Sequence, residues 1–161
     1  MDPEETKRYM GLALEKAREA AEADEVPVGA VLVMPERGVV AAARNRVIAD
    51  CDPTSHAEML ALRAAARAVG NYRLTGGALF VTVEPCPMCM GAVIHARLSL
   101  LVYGAPDPKW GAAGSLYSLH QDERLNHRVD VLSGIMESRC AELLRSFFSA
   151  KRALRKNDAQ V

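Results

Sequence analysis

Aromatic residues are scarce in this sequence of 161 residues, since three Phe, four Tyr and one Trp make up only 5% of it. A core with few large rings and many alanines predicts closely packed helices around a modest sheet. Long apolar runs are also lacking, which argues against a membrane-spanning helix. The first ten residues, MDPEETKRYM, are charged from the start and are unlike a signal peptide. We therefore expect a cytoplasmic protein without a membrane partner.

Cysteine is limited to four residues with uneven spacing. In the cytoplasm such residues are not expected to form a disulfide framework. Cys86 and Cys89 form a C-x-x-C pair, which is typical of a metal site or of a redox dithiol. Cys51 and Cys140 stand alone, and we expect both to be small buried residues.

Net charge is absent as well, because 20 basic residues balance 20 acidic ones. No overall electrostatic field therefore attracts nucleic acid. The charges are unevenly distributed, however, and the charged residues between positions 143 and 157 are all basic: Arg145, Lys151, Arg152, Arg155 and Lys156. Taken alone, such a run more often indicates a solvated helix face.

Hydrophobic periodicity predicts a single α/β domain over residues 1–161. Helices are predicted at about 4–22, 56–69, from 87 and 137–156, and strands at about 26–34, 39–44, 78–83, 98–104 and 129–134. Thr54 or Ser55 is the predicted N-cap of the second helix. Strands that alternate with helices after an initial hairpin predict a three-layer α/β/α fold, with a five-stranded mixed sheet between helices.

Two short motifs follow predicted strands and open predicted helices. H-x-E spans His56 to Glu58, and P-C-x-x-C puts Cys86 and Cys89 on one face of a helix start, where free backbone N–H groups favour thiolates. Because such helix starts gather at one sheet edge, the histidine and both cysteines can converge as three ligands of a catalytic zinc. Glu58 would then handle the protons of the zinc-bound water.

Each motif has a simpler interpretation when it is taken alone. A single histidine at a helix start is usually a surface or capping residue, and a single glutamate there favours the helix dipole. A single C-x-x-C is often structural. The joint pattern is much rarer by chance, and it is the signature of zinc deaminases that act on nucleobases.

On these motifs the sequence resembles the cytidine deaminase superfamily and, within it, the family of bacterial tRNA-specific adenosine deaminases. The similarity runs from about residue 5 to 155, and its specific parts are EVPVGAVLV, ARNRVI, DPTSHAEMLALR, VTVEPCPMCMGAVIHAR, YGAPDPKWGAAGSL, LNHRVDV and RSFFSAKR. The resemblance implies a cytidine-deaminase-like fold, a homodimer and one Zn²⁺ per subunit. It also implies hydrolytic deamination of adenosine to inosine at the wobble position of a tRNA anticodon stem–loop, with no DNA partner.

The resemblance extends to residues that would hold the RNA. It implies that Asn45 binds the flipped base and that Asp107 and Lys109 lie in a loop touching the neighbouring anticodon nucleotides. Phe148, Lys151 and Arg152 would belong to a C-terminal RNA-binding helix. Trp110 and Ser149 depart from the family, which usually has a small residue or threonine at the first position and often arginine at the second.

Two other functions stay open on the sequence alone. A free nucleobase deaminase, acting on guanine or cytosine, would share the metal site but would not need a basic terminal helix. A noncatalytic RNA-binding module with structural zinc would need neither Glu58 nor an open ligand position.

Overall fold

The computed structural model describes the backbone of residues 2–158 and the side chains of residues 2–155. The side chain of Lys156, which belongs to the basic run noted above, therefore lies outside the described part. The helices and strands follow one another as α1 (Pro3–Glu22), β1 (Gly29–Met34), β2 (Gly38–Arg44), α2 (Ala57–Val69), β3 (Ala78–Val83), α3 (Pro87–His95), β4 (Leu100–Ala105), β5 (Asp130–Leu132) and α4 (Glu137–Asp158). A 3-10 turn at Leu119–Gln121 lies between β4 and β5.

The first strand is shorter than predicted. It begins at Gly29 rather than at residue 26, because Pro27 has no N–H to donate and the Val28 N–H bonds locally to the Val26 carbonyl (2.8 Å). The last strand covers only Asp130–Leu132, since the chain turns at Gly134 with a φ of 80°.

The predicted N-cap of α2 is wrong. The cap residue is His56, and Thr54 instead gives both its N–H (2.7 Å) and its hydroxyl (2.8 Å) to the Asp52 carboxylate. Ser55 donates its hydroxyl to Asp50 (3.1 Å). The aspartates therefore hold a compact turn that delivers His56 to the helix start.

The five strands form one mixed sheet in the order β2-β1-β3-β4-β5. β1 is antiparallel to both β2 and β3, whereas β3, β4 and β5 are parallel. Alternate side chains of the central strands pack on opposite faces. Leu32, Leu79 and Leu101 face α2 and α3, while Val31, Phe80 and Val102 face α1 and α4. The predicted three-layer architecture is confirmed.

The strand directions decide where loops meet. β2 and β3 run the same way because each is antiparallel to β1, and β4 is parallel to β3. The pairs Gly29–Arg44 and Val83–Ala105 therefore lie at one edge of the sheet. The segments that follow β2, β3 and β4 all emerge there, as open α/β sheets require for a ligand site.

The two isolated cysteines differ in their surroundings. Cys140 is buried at 1% exposure where α4 packs on the sheet, as predicted. The same prediction is wrong for Cys51, which is exposed in the turn before α2 and has a φ of 49°. Within residues 2–158, no helix is both long enough and apolar enough to cross a bilayer.

Candidate active site

Three metal-ligating side chains converge at this sheet edge. His56 is the N-cap of α2, Cys86 is the N-cap of α3, and Cys89 lies in the first turn of α3. His56 Nδ1 is 3.7 Å from Cys86 Sγ and 3.5 Å from Cys89 Sγ, and the three atoms lie within 4.8 Å of one another. A tetrahedral zinc ion with its usual bond lengths separates nitrogen and sulfur ligands by about 3.6 Å, so the donor set and its spacing fit zinc.

The surroundings of Cys86 favour the thiolate that zinc needs. The pKa of the Cys86 thiol falls to about 4, because the Cys89 thiol donates a hydrogen bond to it and His56 lies beside it. The pKa of Cys89 is raised by the same hydrogen bond and by burial. Binding of a metal to both sulfurs therefore displaces a proton.

Glu58 lies in the first turn of α2, two residues after His56, and is 4% exposed. Its Oε2 atom is buried and has no hydrogen-bond partner among the described residues. Burial raises the pKa of Glu58 to about 7, the direction that suits a general acid and base. A buried carboxylate with one oxygen that has no partner among the described residues, beside three candidate metal ligands, is expected to act on a bound molecule.

Asn45 follows β2 at the same edge and is 7% exposed. Its side-chain oxygen accepts the Ala57 N–H (2.8 Å), one of the free donors at the start of α2. This bond fixes the carboxamide between the end of β2 and the start of α2, next to His56. The amide NH₂ group is thereby left as the donor for a ligand.

A cleft of about 1410 Å³ opens at this edge. Among its lining residues are His56, Glu58 and Cys86, while Cys89 is buried behind them. The cleft also contains every residue that was predicted to touch RNA: Asn45, Asp107, Lys109, Phe148, Lys151 and Arg152. The structure thus brings the predicted residues together, whereas their individual roles stay predictions.

The basic end of α4 forms one wall of the cleft. Lys151 Nζ contacts the Asp24 carboxylate at 2.5 Å and lies 5.6 Å from the centre of the Phe147 ring. Phe147 and Phe148 meet edge to face at 5.4 Å, and Phe148 is 42% exposed. Phe148 is therefore a surface residue of the cleft in this chain.

Sequence reasoning missed two buried glutamates beside the cleft. Glu25, which precedes β1, accepts the backbone N–H groups of Ile48 (2.9 Å) and Ala49 (2.8 Å). Glu84 follows β3 directly, and hydrogen bonds from Ser115, Asp107 and Ala113 hold its pKa below the ordinary value although burial opposes them. The sequence signal for each was an acidic residue next to an apolar run, before it for Glu25 and after it for Glu84.

Comparison with known proteins agrees with this geometry. A family model described as the cytidine and deoxycytidylate deaminase zinc-binding region matches residues 3–105. A tRNA-specific adenosine deaminase of Agrobacterium fabrum is 48% identical over 148 residues, covering 92% of this chain and 97% of the relative. The Bacillus subtilis protein of the same name is 45% identical over 153 residues, covering 92% of this chain and 94% of the relative.

Solved structures give the same picture. One, from studies of A-to-I editing by tRNA:A34 deaminases at the wobble position, has 47% identity and a TM-score of 0.82, covering 85% of this chain and 99% of its own. A guanine deaminase from Nitrosomonas europaea has 27% identity and a TM-score of 0.76, covering 88% and 83%. Because the family model matches residues 3–105 and the relatives match almost end to end, the protein belongs to the cytidine and deoxycytidylate deaminase zinc-binding family.

Proposed function

We propose that this protein hydrolyses the 6-amino group of adenosine at the wobble position of a tRNA anticodon loop, which yields inosine and ammonia. The observation that carries the proposal is the extent of the cleft. It reaches from Glu58 to Arg155 near the end of α4 and encloses about 1410 Å³, whereas pockets for drug-sized ligands measure about 300–1,000 Å³. A cleft of this size suits several nucleotides of a strand better than one free base.

The composition of the cleft walls supports a single-stranded nucleic acid. The cleft is lined by two exposed aromatic rings, Trp110 at 66% and Phe148 at 42%, and by the cations Lys109, Arg152 and Arg155. Basic grooves with aromatic platforms hold unpaired nucleotides by phosphate contacts and base stacking. An unstacked loop also presents its base at the lowest cost of flipping.

The base itself would bind beside the metal ligands. The Asn45 carboxamide, whose oxygen is engaged by Ala57, can donate from its NH₂ group to a ring acceptor of adenine. His56, Cys86 and Cys89 would hold zinc, which supplies Lewis-acid activation of a water molecule at neutral pH.

Glu58 would carry the protons of the reaction. It takes a proton from the attacking water and delivers it to N1 of the ring as the oxygen adds to C6. It then transfers the second proton of that water to the amino nitrogen. The C6–N bond breaks, ammonia leaves, and C6 keeps the oxygen as the inosine carbonyl. The Oε2 atom of Glu58, which has no hydrogen-bond partner in the part of the chain that the structure describes, is available for this transfer.

A direct assay separates this function from the two alternatives. The zinc-loaded protein is given an anticodon stem–loop with wobble adenosine, the same stem–loop with wobble guanosine, and free adenine, guanine and cytosine. We expect inosine and ammonia from the first substrate alone. Faster turnover of guanine or cytosine would favour a free-base deaminase, and stem–loop binding without ammonia release would favour a noncatalytic module.

The homodimer, the single domain over residues 1–161 and the cytoplasmic location stay predictions of the resemblance and of the sequence pattern. The mechanism above needs only residues of one chain.

A further inference from the structure

Glu84 is a buried carboxylate on which one loop converges. It is 3% exposed and lies two residues before Cys86. Its Oε1 atom accepts the backbone N–H groups of Ala113 (3.0 Å) and Ser115 (2.9 Å). Its Oε2 atom accepts the Asp107 N–H (3.0 Å) and the Ser115 hydroxyl. Both oxygens are therefore occupied by donors from the segment after β4.

This segment, residues 106–118, closes tightly around the carboxylate. A Cβ atom at Gly111 would lie 2.3 Å from the Glu84 Cδ atom, so only glycine permits the approach. The Ala112 N–H also bonds to the Pro85 carbonyl (2.8 Å), next to Cys86. The 106–118 loop is thus attached to the same short turn that carries a metal ligand.

Four converging donors indicate that Glu84 has a specific structural task. A buried carboxylate is costly unless it is fully hydrogen-bonded, and an apolar side chain would fill the same space without that cost. A carboxylate instead binds several N–H groups at once and fixes the backbone that bears them. The backbone held here presents Lys109 and Trp110 to the cleft.

Hydrogen bonds within the 106–118 loop also fix the backbone of its exposed residues. Asp107 Oδ1 accepts the N–H groups of Lys109 (3.0 Å) and Trp110 (3.2 Å), and the Asp107 carbonyl accepts the Gly111 N–H (2.7 Å). Because the Asp107 N–H is itself bound by Glu84, the contacts form one chain from the buried carboxylate to the backbone of Trp110, whose side chain is exposed.

We propose that Glu84 is a positioning residue for RNA binding. It anchors the 106–118 loop to the turn that bears Cys86, so that Lys109 and Trp110 are held at a fixed distance from the metal ligands. Glu84 acts through the loop and does not touch the reacting atoms. This inference rests on the proposed function, since the loop would position a nucleic-acid strand.

The test begins with Glu84→Gln, which keeps the shape of the side chain. An amide has one acceptor oxygen, so its NH₂ group must face at least one backbone N–H of the loop. We expect kcat/KM for the stem–loop to fall about 10- to 100-fold, the factor for one lost hydrogen bond to a charged group. The loss should lie in KM, because a loop that contacts neighbouring nucleotides and not the reacting atoms binds substrate and transition state alike. Zinc content should be unchanged.

A spectroscopic measurement follows the loop without any substrate. Trp110 is the only tryptophan of the chain and lies in this loop, so its time-resolved fluorescence anisotropy reports motion of the loop on the nanosecond scale. In Glu84→Gln we expect a larger fast component of the anisotropy decay than in the unchanged protein.

Glu25→Gln is the matched control. Glu25 is equally buried, at 2%, and also accepts two backbone N–H groups, but from Ile48 and Ala49 on the other side of the cleft. The Glu25→Gln variant should leave the anisotropy decay of Trp110 unchanged. If Glu84→Gln does not fold, Gly111→Ala disturbs the same contact from the loop side and should produce the same fast component.

Unchanged anisotropy of Trp110 in a folded Glu84 or Gly111 variant would overturn the inference. Zinc loss in Glu84→Gln, or a fall confined to kcat, would overturn it as well, since Glu84 would then support the metal site directly. Failure of the proposed function is distinguishable, because in that case the unchanged protein itself gives no inosine while the anisotropy difference persists.

Discussion

Three glutamates lie buried around the cleft, and their partners separate their roles. Glu25 and Glu84 each accept backbone N–H groups and hold a loop. Glu58 has a buried oxygen without a partner among the described residues. A buried glutamate thus has a structural role where backbone N–H groups bind one or both of its oxygens, and it can act as a proton carrier where an oxygen has no such donor.

Glu58→Gln is expected to stop the reaction while leaving the protein and its metal intact. Glutamine keeps the volume of the side chain but does not take up a proton at neutral pH. Because the proposed metal ligands are His56, Cys86 and Cys89, zinc content should stay near one per chain. The rate of inosine formation should fall about 10²–10⁴-fold, the usual loss for a missing general acid and base. Single-turnover measurements on the stem–loop would give this rate.

The cysteines provide controls for that experiment. Cys86→Ala removes one of three ligand atoms and should lose zinc, which is measured by elemental analysis of the purified protein. Cys51→Ala changes an exposed cysteine outside the site, and this variant should keep its zinc. Zinc loss in Glu58→Gln comparable to that in Cys86→Ala would contradict the separation of binding from chemistry.

At the scale of elements, periodicity predicted the helices, the strands and their layers. The reason is that both faces of the sheet are covered at its centre, so that β1, β3 and β4 are almost continuously apolar, while α1 and α2 each carry one apolar stripe. The convergence of His56, Cys86 and Cys89 was also predictable, since parallel strands send their following helices from the same edge.

The contacts that hold the loops were not predictable. Glu84 bonds to residues 23 to 31 positions away, and Lys151 pairs with Asp24 across 127 positions. Hydrophobic periodicity does not predict such pairs, because each pair depends on the three-dimensional path of a loop. The N-cap at His56 was missed for a similar reason, since the preceding aspartates compete for Thr54 and Ser55.

Two glycines allow a test of how the layers pack. At Gly29 in β1, a Cβ atom would lie 2.0 Å from the Ala13 carbonyl oxygen of α1, so Gly29→Ala should destabilise the fold by roughly 1–3 kcal/mol or more. Gly11, within α1, has nothing within 4 Å of such an atom, and Gly11→Ala should stabilise the fold by about 0.5–1 kcal/mol through helix propensity.

Urea unfolding of the two glycine variants at fixed zinc concentration measures both changes, since bound metal shifts apparent stability. The opposite signs are the essential result. Equal destabilisation by both substitutions would mean that the close contact between α1 and β1 does not limit side-chain size at Gly29.

At the scale of the whole molecule, zero net charge hides a local concentration of positive charge. Arg145, Lys151, Arg152 and Arg155 of α4 and Lys109 of the 106–118 loop line one cleft. Lys151 is partly neutralised there by Asp24 at 2.5 Å. A protein without net positive charge can therefore still bind RNA, because contacts between cations and phosphates act within the Debye length of about 8–10 Å.

Arg152 gives the sharpest test of this arrangement, since it is exposed and lines the cleft. Arg37 is also an exposed cation, and it lies in the turn between β1 and β2, at the opposite edge of the sheet.

If Arg152 contacts a phosphate, Arg152→Ala should weaken stem–loop binding and reduce the slope of log K against log salt by about 0.7, the value for one counterion released from a single strand. Arg37→Ala removes the same charge and should change neither quantity. Fluorescence titration with a labelled stem–loop at several salt concentrations measures both slopes. Equal slopes for the two variants would show that the cleft does not follow the RNA backbone at Arg152.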